Sequence, residues 1–260
     1  MIFTPRGDVQ SPFCVILLSP VGDRPAIPTD MSHLGIDRSL RKELTALPFF
    51  LAGQSLGGAV ALMTALRLKR DKMMTDVVGR FLGVMTNCPA IMGNPPPAPV
   101  VMILKYLVVP LFPRAQLPRF LERVSLPELI WIDQCNEKLA ALDKIDKPGG
   151  LGWPGTMRVG TGAQLLDMLT HLQRRLCEID FPFLVLHDPN DGIVRFEGTE
   201  LLIREAKTSP EVFRGKEVKE LLGCKHDLLA NAPEEVLGAY LDWADARLSV
   251  TGKLPFVLSK

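Results

Sequence analysis

The sequence predicts an α/β fold, a mostly parallel sheet with helices packed on both faces. Short apolar runs, each long enough for one buried strand, alternate along the chain with longer stretches whose apolar residues recur at helical spacing. The chain has 260 residues, of which 47% are apolar and 23% are charged. It is therefore long enough to bury a large core.

Five predicted elements before residue 90 follow this alternation. We expect strands over 14–18, 48–52 and 81–85, and helices over 37–46 and 55–69. The strands are apolar throughout rather than alternating with polar residues. That pattern is typical of parallel strands that are covered on both faces.

The middle of the chain differs in composition from the parts on either side. Prolines are concentrated between Pro89 and Pro154, among short helical pieces rich in Leu and Val. We therefore predict a helical cap inserted over 91–157. It would divide the core into an N-terminal part, 1–90, and a C-terminal part, 158–260.

Strands and helices alternate again after the predicted cap. Strands are expected over 183–186 and 216–222, the second at the edge of the sheet. Helices are expected over 161–176, 197–207 and 233–248, because their apolar residues recur every three or four positions.

One short motif carries a specific chemical signal. Gly53–Gly57 has the pattern Gly-x-Ser-x-Gly and lies between a predicted strand and a predicted helix. In this context the motif predicts a sharp turn, called the elbow below, that exposes Ser55 as a nucleophile. The backbone N–H of Leu56 would then stabilise an oxyanion at the start of the helix. The alternative is a serine that only caps the helix.

The acid of a catalytic triad is expected just after a later strand, and the histidine after the acid. Asp191 lies in the turn that follows the strand at 183–186, and it is the predicted acid. Asp188 is the alternative, although its position also suits the cap of the turn at Pro189 and Asn190.

The chain contains four histidines, and their order selects the base. His33 and His171 precede the acid and are excluded by that order. His187 ends the strand close to Asp191 and is interpreted as structural. His226 lies in a loop between the last strand and the last helix, where a base could reach both the serine and the acid.

With these residues in place, the chain resembles the monoacylglycerol lipase-like branch of the α/β-hydrolases, also called serine aminopeptidase S33-like or lysophospholipase-like. The resemblance covers roughly residues 40 to 248 and is carried by four segments: 47–62, 158–166, 181–187 and 223–226. It implies an α/β-hydrolase fold and a serine esterase or lipase that cleaves acylglycerols or lysophospholipids. It implies no metal and no cofactor. Epoxide and haloalkane hydrolysis are disfavoured, because they need an aspartate where this chain has Ser55.

The chain departs from the pattern of this family at three places. Gln54 stands where the family usually has His or Glu, and Asp188 stands where it has Gly, with Asp191 at the position of the acid. The segment before the elbow is shorter and lacks the His-Gly turn that supplies a second oxyanion N–H. Its counterpart, Ser19–Gly22, contains Pro20, which has no N–H. The shortened N-terminus gives an alternative expectation, an inactive relative that binds lipid or a partner.

Charge and cysteine usage set the expected partners and compartment. Lys and Arg number 30 and Asp and Glu 29, so nucleic acid is not an expected partner. The five scattered cysteines and the absence of a signal-peptide pattern indicate a reducing, cytoplasmic setting and no zinc site. The apolar run Val100–Val109 is too short to span a bilayer. It is interpreted either as core packing or as a cap surface with peripheral membrane affinity.

Overall fold

The computed structural model describes the central and C-terminal parts of the chain and one strand before them. The described residues are 14–17, 47–71, 75–94, 96–118, 130, 132–133 and 157–250. The helix expected over 37–46 and the segment Ser19–Gly22 lie outside this set.

A five-stranded parallel sheet forms the centre of the described structure. The strands are β1 (Cys14–Leu17), β2 (Phe49–Gln54), β3 (Phe81–Asn87), β4 (Phe183–His187) and β5 (Lys216–Glu220). They lie side by side in sequence order, and every neighbouring pair is parallel. The carboxyl ends of all five therefore meet at one edge of the sheet, which is where sites form in such folds.

Eight helices connect or follow these strands in the part of the chain that the structure describes. They are α1 (Leu56–Arg70), α2 (Thr75–Val78), α3 (Ala98–Ile103), α4 (Val109–Leu111), α5 (Val159–Arg175), α6 (Glu197–Glu205), α7 (Leu228–Asn231) and α8 (Pro233–Val250). A π-helical turn, Leu104–Val108, joins α3 to α4, and a 3₁₀ turn, Leu176–Glu178, ends α5. The predicted parallel sheet with helices on both faces is confirmed.

Each face of the sheet has its own hydrophobic core. Helices α1 and α5 bury Leu62 and Leu172 against one face. Helix α8 buries Trp243 against the other face, where its ring lies 5.6 Å from that of Phe50. Gly83 makes this contact possible: its φ is +147°, and a Cβ there would lie 2.6 Å from the Trp243 ring.

The apolar run at 100–109 is helical but is not part of either core. None of the residues of α3, the π turn or α4 is buried. The segment packs on α5, to which Lys105 is joined by an ion pair with Asp167. The sequence left two interpretations of this run, core packing or an exposed cap surface. The exposure of its residues does not fit core packing.

Candidate active site

The loop between β2 and α1 holds Ser55 in a strained backbone conformation. Ser55 has φ of +54° and ψ of −121°, outside the regions that residues with side chains usually occupy. Its N–H donates to the Asn87 carbonyl at 2.8 Å, and its own carbonyl accepts from Ala90 N–H at 2.9 Å. These bonds tie the serine to the end of β3 and maintain the strained turn.

Two glycines allow the chain to make this turn. A Cβ on Gly53 would lie 2.2 Å from the Gly57 carbonyl oxygen, a distance that no real side chain tolerates. A Cβ on Gly58 would come within 3.1 Å of Pro89. The close approach of α1 to the strand ends therefore requires glycine at both Gly53 and Gly58.

Three of the four predicted site residues form one chain of hydrogen bonds. The Nε2 of His226 lies 2.9 Å from the Ser55 hydroxyl oxygen. Its Nδ1 lies 2.7 Å from Oδ2 of Asp191. The tautomer with the proton on Nδ1 satisfies both contacts, because Nδ1–H then donates to the carboxylate and Nε2 accepts from the hydroxyl.

The Asp191 carboxylate is fully buried and well satisfied. Its second oxygen accepts the backbone N–H groups of Ile193 at 2.7 Å and Val194 at 3.1 Å. Burial alone would raise the pKa of Asp191, but the imidazoles of His187 and His226 and the N–H of Ile193 outweigh burial and lower that pKa well below its usual range. The group therefore stays ionised beside His226.

His187, interpreted from the sequence as structural, lies against the acid from the other side. Its Nε2 is 3.3 Å from Oδ2 of Asp191, close enough to stabilise the carboxylate electrostatically although the two atoms form no hydrogen bond. Its Nδ1 is 2.7 Å from the hydroxyl of Thr199, which fixes the ring. In the described structure His187 forms no hydrogen bond with Ser55, whereas His226 is bonded to both Ser55 and Asp191. His226 is therefore the histidine that joins nucleophile and acid.

Two further carboxylates near the site, those of Asp188 and Asp227, accept hydrogen bonds from backbone N–H groups or from a side-chain amide. Asp188 accepts from the N–H groups of Asn190 and Lys225. Asp227 accepts from the Gln54 side-chain amide at 2.7 Å. Sequence reasoning anticipated the turn cap at Asp188 but missed its bond to Lys225 and the pairing of Asp227 with Gln54. Nothing in the spacing of these residues signals either contact.

A cavity of about 210 Å³ opens beside Ser55. Its lining is mostly apolar and comes from the loop at Ser55, from α3 and the π turn, from α5 and from the turn after Asp191. It includes Leu56, Val101, Leu104, Ala163, Leu166 and Val194. Leu56 is the first residue of α1, so its N–H has no acceptor within the helix, and the residue also lines the cavity. Such a cavity suits an acyl chain better than a polar ligand.

One group among the described residues could also bind a metal ion. Ligand atoms of Cys88, His187 and Asp191 lie within 4.8 Å of one another, and all three residues are buried. Burial and the nearby Asp191 carboxylate raise the pKa of the Cys88 thiol, so it is held in the protonated form that binds metals poorly. Asp191 is also already engaged by His226. The donor set therefore fits a hydrogen-bonded site better than a metal centre.

The chain belongs to the serine aminopeptidase S33 family of hydrolases, whose sequence model matches residues 28–233. The expected membership of the α/β-hydrolase superfamily is thereby confirmed.

The chain is similar in sequence to curated monoglyceride lipases. Human monoglyceride lipase is 27% identical over 218 residues, and the rat protein is 25% identical. Each alignment covers 82% of this chain and 64% of the relative, so the chain spans less than two thirds of the relatives' length.

The fold is shared with two crystal structures. The monoacylglycerol lipase of Paleococcus ferrophilus has a TM-score of 0.58 and 23% identity, over 83% of this chain and 74% of that one. A soluble variant of the Saccharomyces cerevisiae monoglyceride lipase has a TM-score of 0.58 and 17% identity, over 88% and 71%.

Proposed function

We propose that the protein is a serine hydrolase that cleaves carboxylic esters of acylglycerols or lysophospholipids. The observation that carries this proposal is the unbroken set of hydrogen bonds from Ser55 through His226 to a buried, ionised Asp191. An inactive relative that only binds lipid would not need this arrangement. The strain at Ser55 supports the same conclusion, because such strain is retained where the reaction requires it.

In this proposal Ser55 is the nucleophile and His226 the general base. As the Ser55 oxygen attacks the ester carbonyl, its proton passes to Nε2 of His226. The ring becomes a cation, which the adjacent Asp191 carboxylate stabilises without taking the proton itself. His226 then donates that proton to the departing alcohol, which leaves an acyl-serine.

Water completes the cycle in the reverse sense. His226 takes a proton from the water molecule, the hydroxide attacks the acyl-serine, and the proton returns to Ser55 as the fatty acid leaves. The N–H of Leu56 would bind the oxyanion of both tetrahedral intermediates, since it begins α1 and lies at the cavity beside the serine. No step requires a metal or an organic cofactor.

The apolar cavity supports a lipid ester as substrate. An acyl chain lying along Val101, Leu104 and Leu166 would place its carbonyl carbon at Ser55. The relatives named as monoglyceride lipases support the same class of substrate. We take 91–157 to be the cap of this enzyme, with core segments 1–90 and 158–260.

The helical segment 98–112, which contains α3, the π turn and α4, supports a peripheral contact of the cap with membranes. Six large apolar side chains there are between 56% and 70% exposed: Met102, Ile103, Tyr106, Leu107, Leu111 and Phe112. A patch of this kind marks a surface that binds another apolar phase. Among the described residues, no helix is long and apolar enough to cross a bilayer.

A fluorophosphonate probe tests the proposed function. Such probes phosphonylate only a serine that is activated by its base, so we expect one labelled peptide, which contains Ser55. The Ser55→Ala variant is the matched control and should not be labelled. Labelling of another residue, or equal lack of labelling in the folded wild-type protein and in Ser55→Ala, would contradict the assignment.

A further inference from the structure

Asp188 joins the two loops that hold the acid and the base. It directly follows β4, and its side chain is fully buried. One carboxylate oxygen accepts the Asn190 N–H at 2.9 Å, within the turn that leads to Asp191. The other accepts the Lys225 N–H at 2.7 Å, in the loop that carries His226.

The second of these bonds falls at a demanding position of the backbone. Lys225 has φ of +54°, in the left-handed region that residues with a Cβ disfavour by about 1–2 kcal/mol. A buried carboxylate that accepts its N–H stabilises this conformation, because a hydrogen bond to a charged acceptor is stronger than one between neutral groups. The next residue is His226, so the direction of its imidazole depends on how Lys225 is held.

Capping the turn at Asn190 occupies only one of the two oxygens. A cap alone does not explain why a charged carboxylate is buried at the ends of β4 and β5 with its other oxygen directed at Lys225. The two bonds of Asp188 connect the turn of Asp191 directly to the loop of His226. The distance between this turn and this loop decides whether the 2.7 Å contact between the acid and the base forms.

We propose that Asp188 is a positioning residue of the reaction, which holds the His226 loop in register with Asp191 and Ser55. This inference rests on the proposed function for its kinetic consequence. A displacement of reacting groups by about 1 Å can cost on the order of 100-fold in rate. We therefore expect kcat to fall by about 10- to 100-fold when the bridge is removed, with KM unchanged.

The test compares two variants of Asp188 with a matched control. Asp188→Ala removes both bonds, whereas Asp188→Asn keeps one acceptor oxygen and one charge-free bond. Thr208→Val is the control, because Thr208 is also buried and its hydroxyl donates to the Phe181 carbonyl at 2.8 Å, near the opposite end of β4. Hydrolysis of p-nitrophenyl butyrate is measured well below the unfolding temperature of every variant.

A second readout follows the geometry of the site without turnover. The Nδ1–H proton of His226, hydrogen-bonded to Asp191, is expected at very low field in the NMR spectrum of histidine-labelled protein. We expect this resonance to broaden or disappear in Asp188→Ala, to weaken in Asp188→Asn and to persist in Thr208→Val. If Asp188→Ala does not fold, Asp188→Asn alone decides the question.

The outcomes separate this inference from the proposed function. Wild-type rates and an unchanged resonance in the folded Asp188 variants would overturn the positioning role, as would a rise in KM with kcat unchanged. If the wild-type protein hydrolyses no ester but its resonance is lost only in the Asp188 variants, the positioning role stands and the proposed function fails.

Discussion

Two regions of the site are buried to very different degrees: the polar end, formed by the turns of Asp188 and Asp191, and the helical segment from α3 to α4. Asp188 and Asp191 lie in turns at the carboxyl edge of the sheet, and their side chains are hidden and hydrogen-bonded. In the segment from α3 to α4, by contrast, no residue is buried, and Tyr106 is 70% exposed.

This difference in burial suits the two regions to different roles. Buried polar groups with several partners can be held within a few tenths of an ångström, as the proposed proton transfer requires. An exposed apolar segment can instead meet a lipid phase and form one wall of the cavity. Changes at the polar end should therefore alter kcat, whereas changes in the helical segment should alter which substrates and surfaces are bound.

The largest effect at the polar end is expected from Gly53→Ala. The new methyl group would lie 2.2 Å from the Gly57 carbonyl, so the elbow must open, with a loss of about 3 kcal/mol or more of stability and of all activity. Urea unfolding measures the loss. Gly238→Ala in α8 is the control, because a Cβ at Gly238 meets nothing within 4 Å. Alanine favours a helix more than glycine does, so this variant should gain about 1 kcal/mol in the free energy of unfolding. Equal stabilities for the two variants would contradict this account of the elbow.

The next effect concerns the cavity. Ala163→Phe places a large ring among the cavity-lining residues of α5 and should exclude long acyl chains. Each methylene group of the substrate that can no longer be buried costs about 0.8 kcal/mol of binding free energy. The ratio of kcat/KM for p-nitrophenyl decanoate to that for p-nitrophenyl acetate should therefore fall at least about tenfold. Gln164→Phe, on the exposed side of the same helix, should leave the ratio unchanged. A ratio unaffected by Ala163→Phe would place the acyl chain elsewhere.

A smaller effect is expected for the exposed segment. The double variant Ile103→Asp with Leu107→Asp should reduce co-flotation with phosphatidylcholine vesicles several-fold, because two apolar contacts are replaced by charges. Hydrolysis of a soluble short-chain ester should stay within about twofold of the wild-type rate. Phe213→Asp with Leu237→Asp removes two similarly exposed side chains elsewhere and should float like the wild type. Equal flotation of the wild type and both double variants would contradict a membrane contact through this segment.

The smallest effect concerns pH: the contribution of the Asp191 carboxylate to the stability of the fold should depend on it. Its pKa is lower in the folded protein than the value of about 4 expected when unfolded, so its carboxylate stabilises the fold above pH ~4 and loses this contribution as the pH falls further. The stability difference between wild type and Asp191→Asn should therefore narrow between pH 5 and pH 3 in urea unfolding. A difference that widens with acid would mean that the carboxylate is not ionised in the fold.

The sequence was sufficient for the parts of the molecule that depend on local pattern. Apolar runs and helical spacing predicted every strand of the described sheet and the long helices. The ends differ by two residues in three strands: β2 and β3 continue to Gln54 and Asn87, and β5 already ends at Glu220. The Gly-x-Ser-x-Gly motif and the order of acid and histidine selected Ser55, Asp191 and His226, which the fold brings within hydrogen-bonding distance. Their catalytic roles stay a prediction.

Contacts between distant segments could not be predicted from the sequence pattern. The bond from Lys225 to Asp188 and the pairing of Gln54 with Asp227 join residues 37 and 173 positions apart, and either pair could have faced solvent. The exposure of the run at 100–109 was also undetermined, because an apolar helix reads the same whether it packs in a core or forms an open cap. Such features depend on which surfaces the tertiary structure brings together.

Hydrolysis of p-nitrophenyl butyrate by the purified protein, beside Ser55→Ala prepared in the same way, tests the central claim most directly. We expect measurable turnover in the wild type and a loss of at least about 10⁴-fold in the variant, with unchanged unfolding curves. Turnover that survives the substitution, or none in a folded wild-type protein, would contradict the assignment of Ser55, His226 and Asp191 as a working catalytic triad.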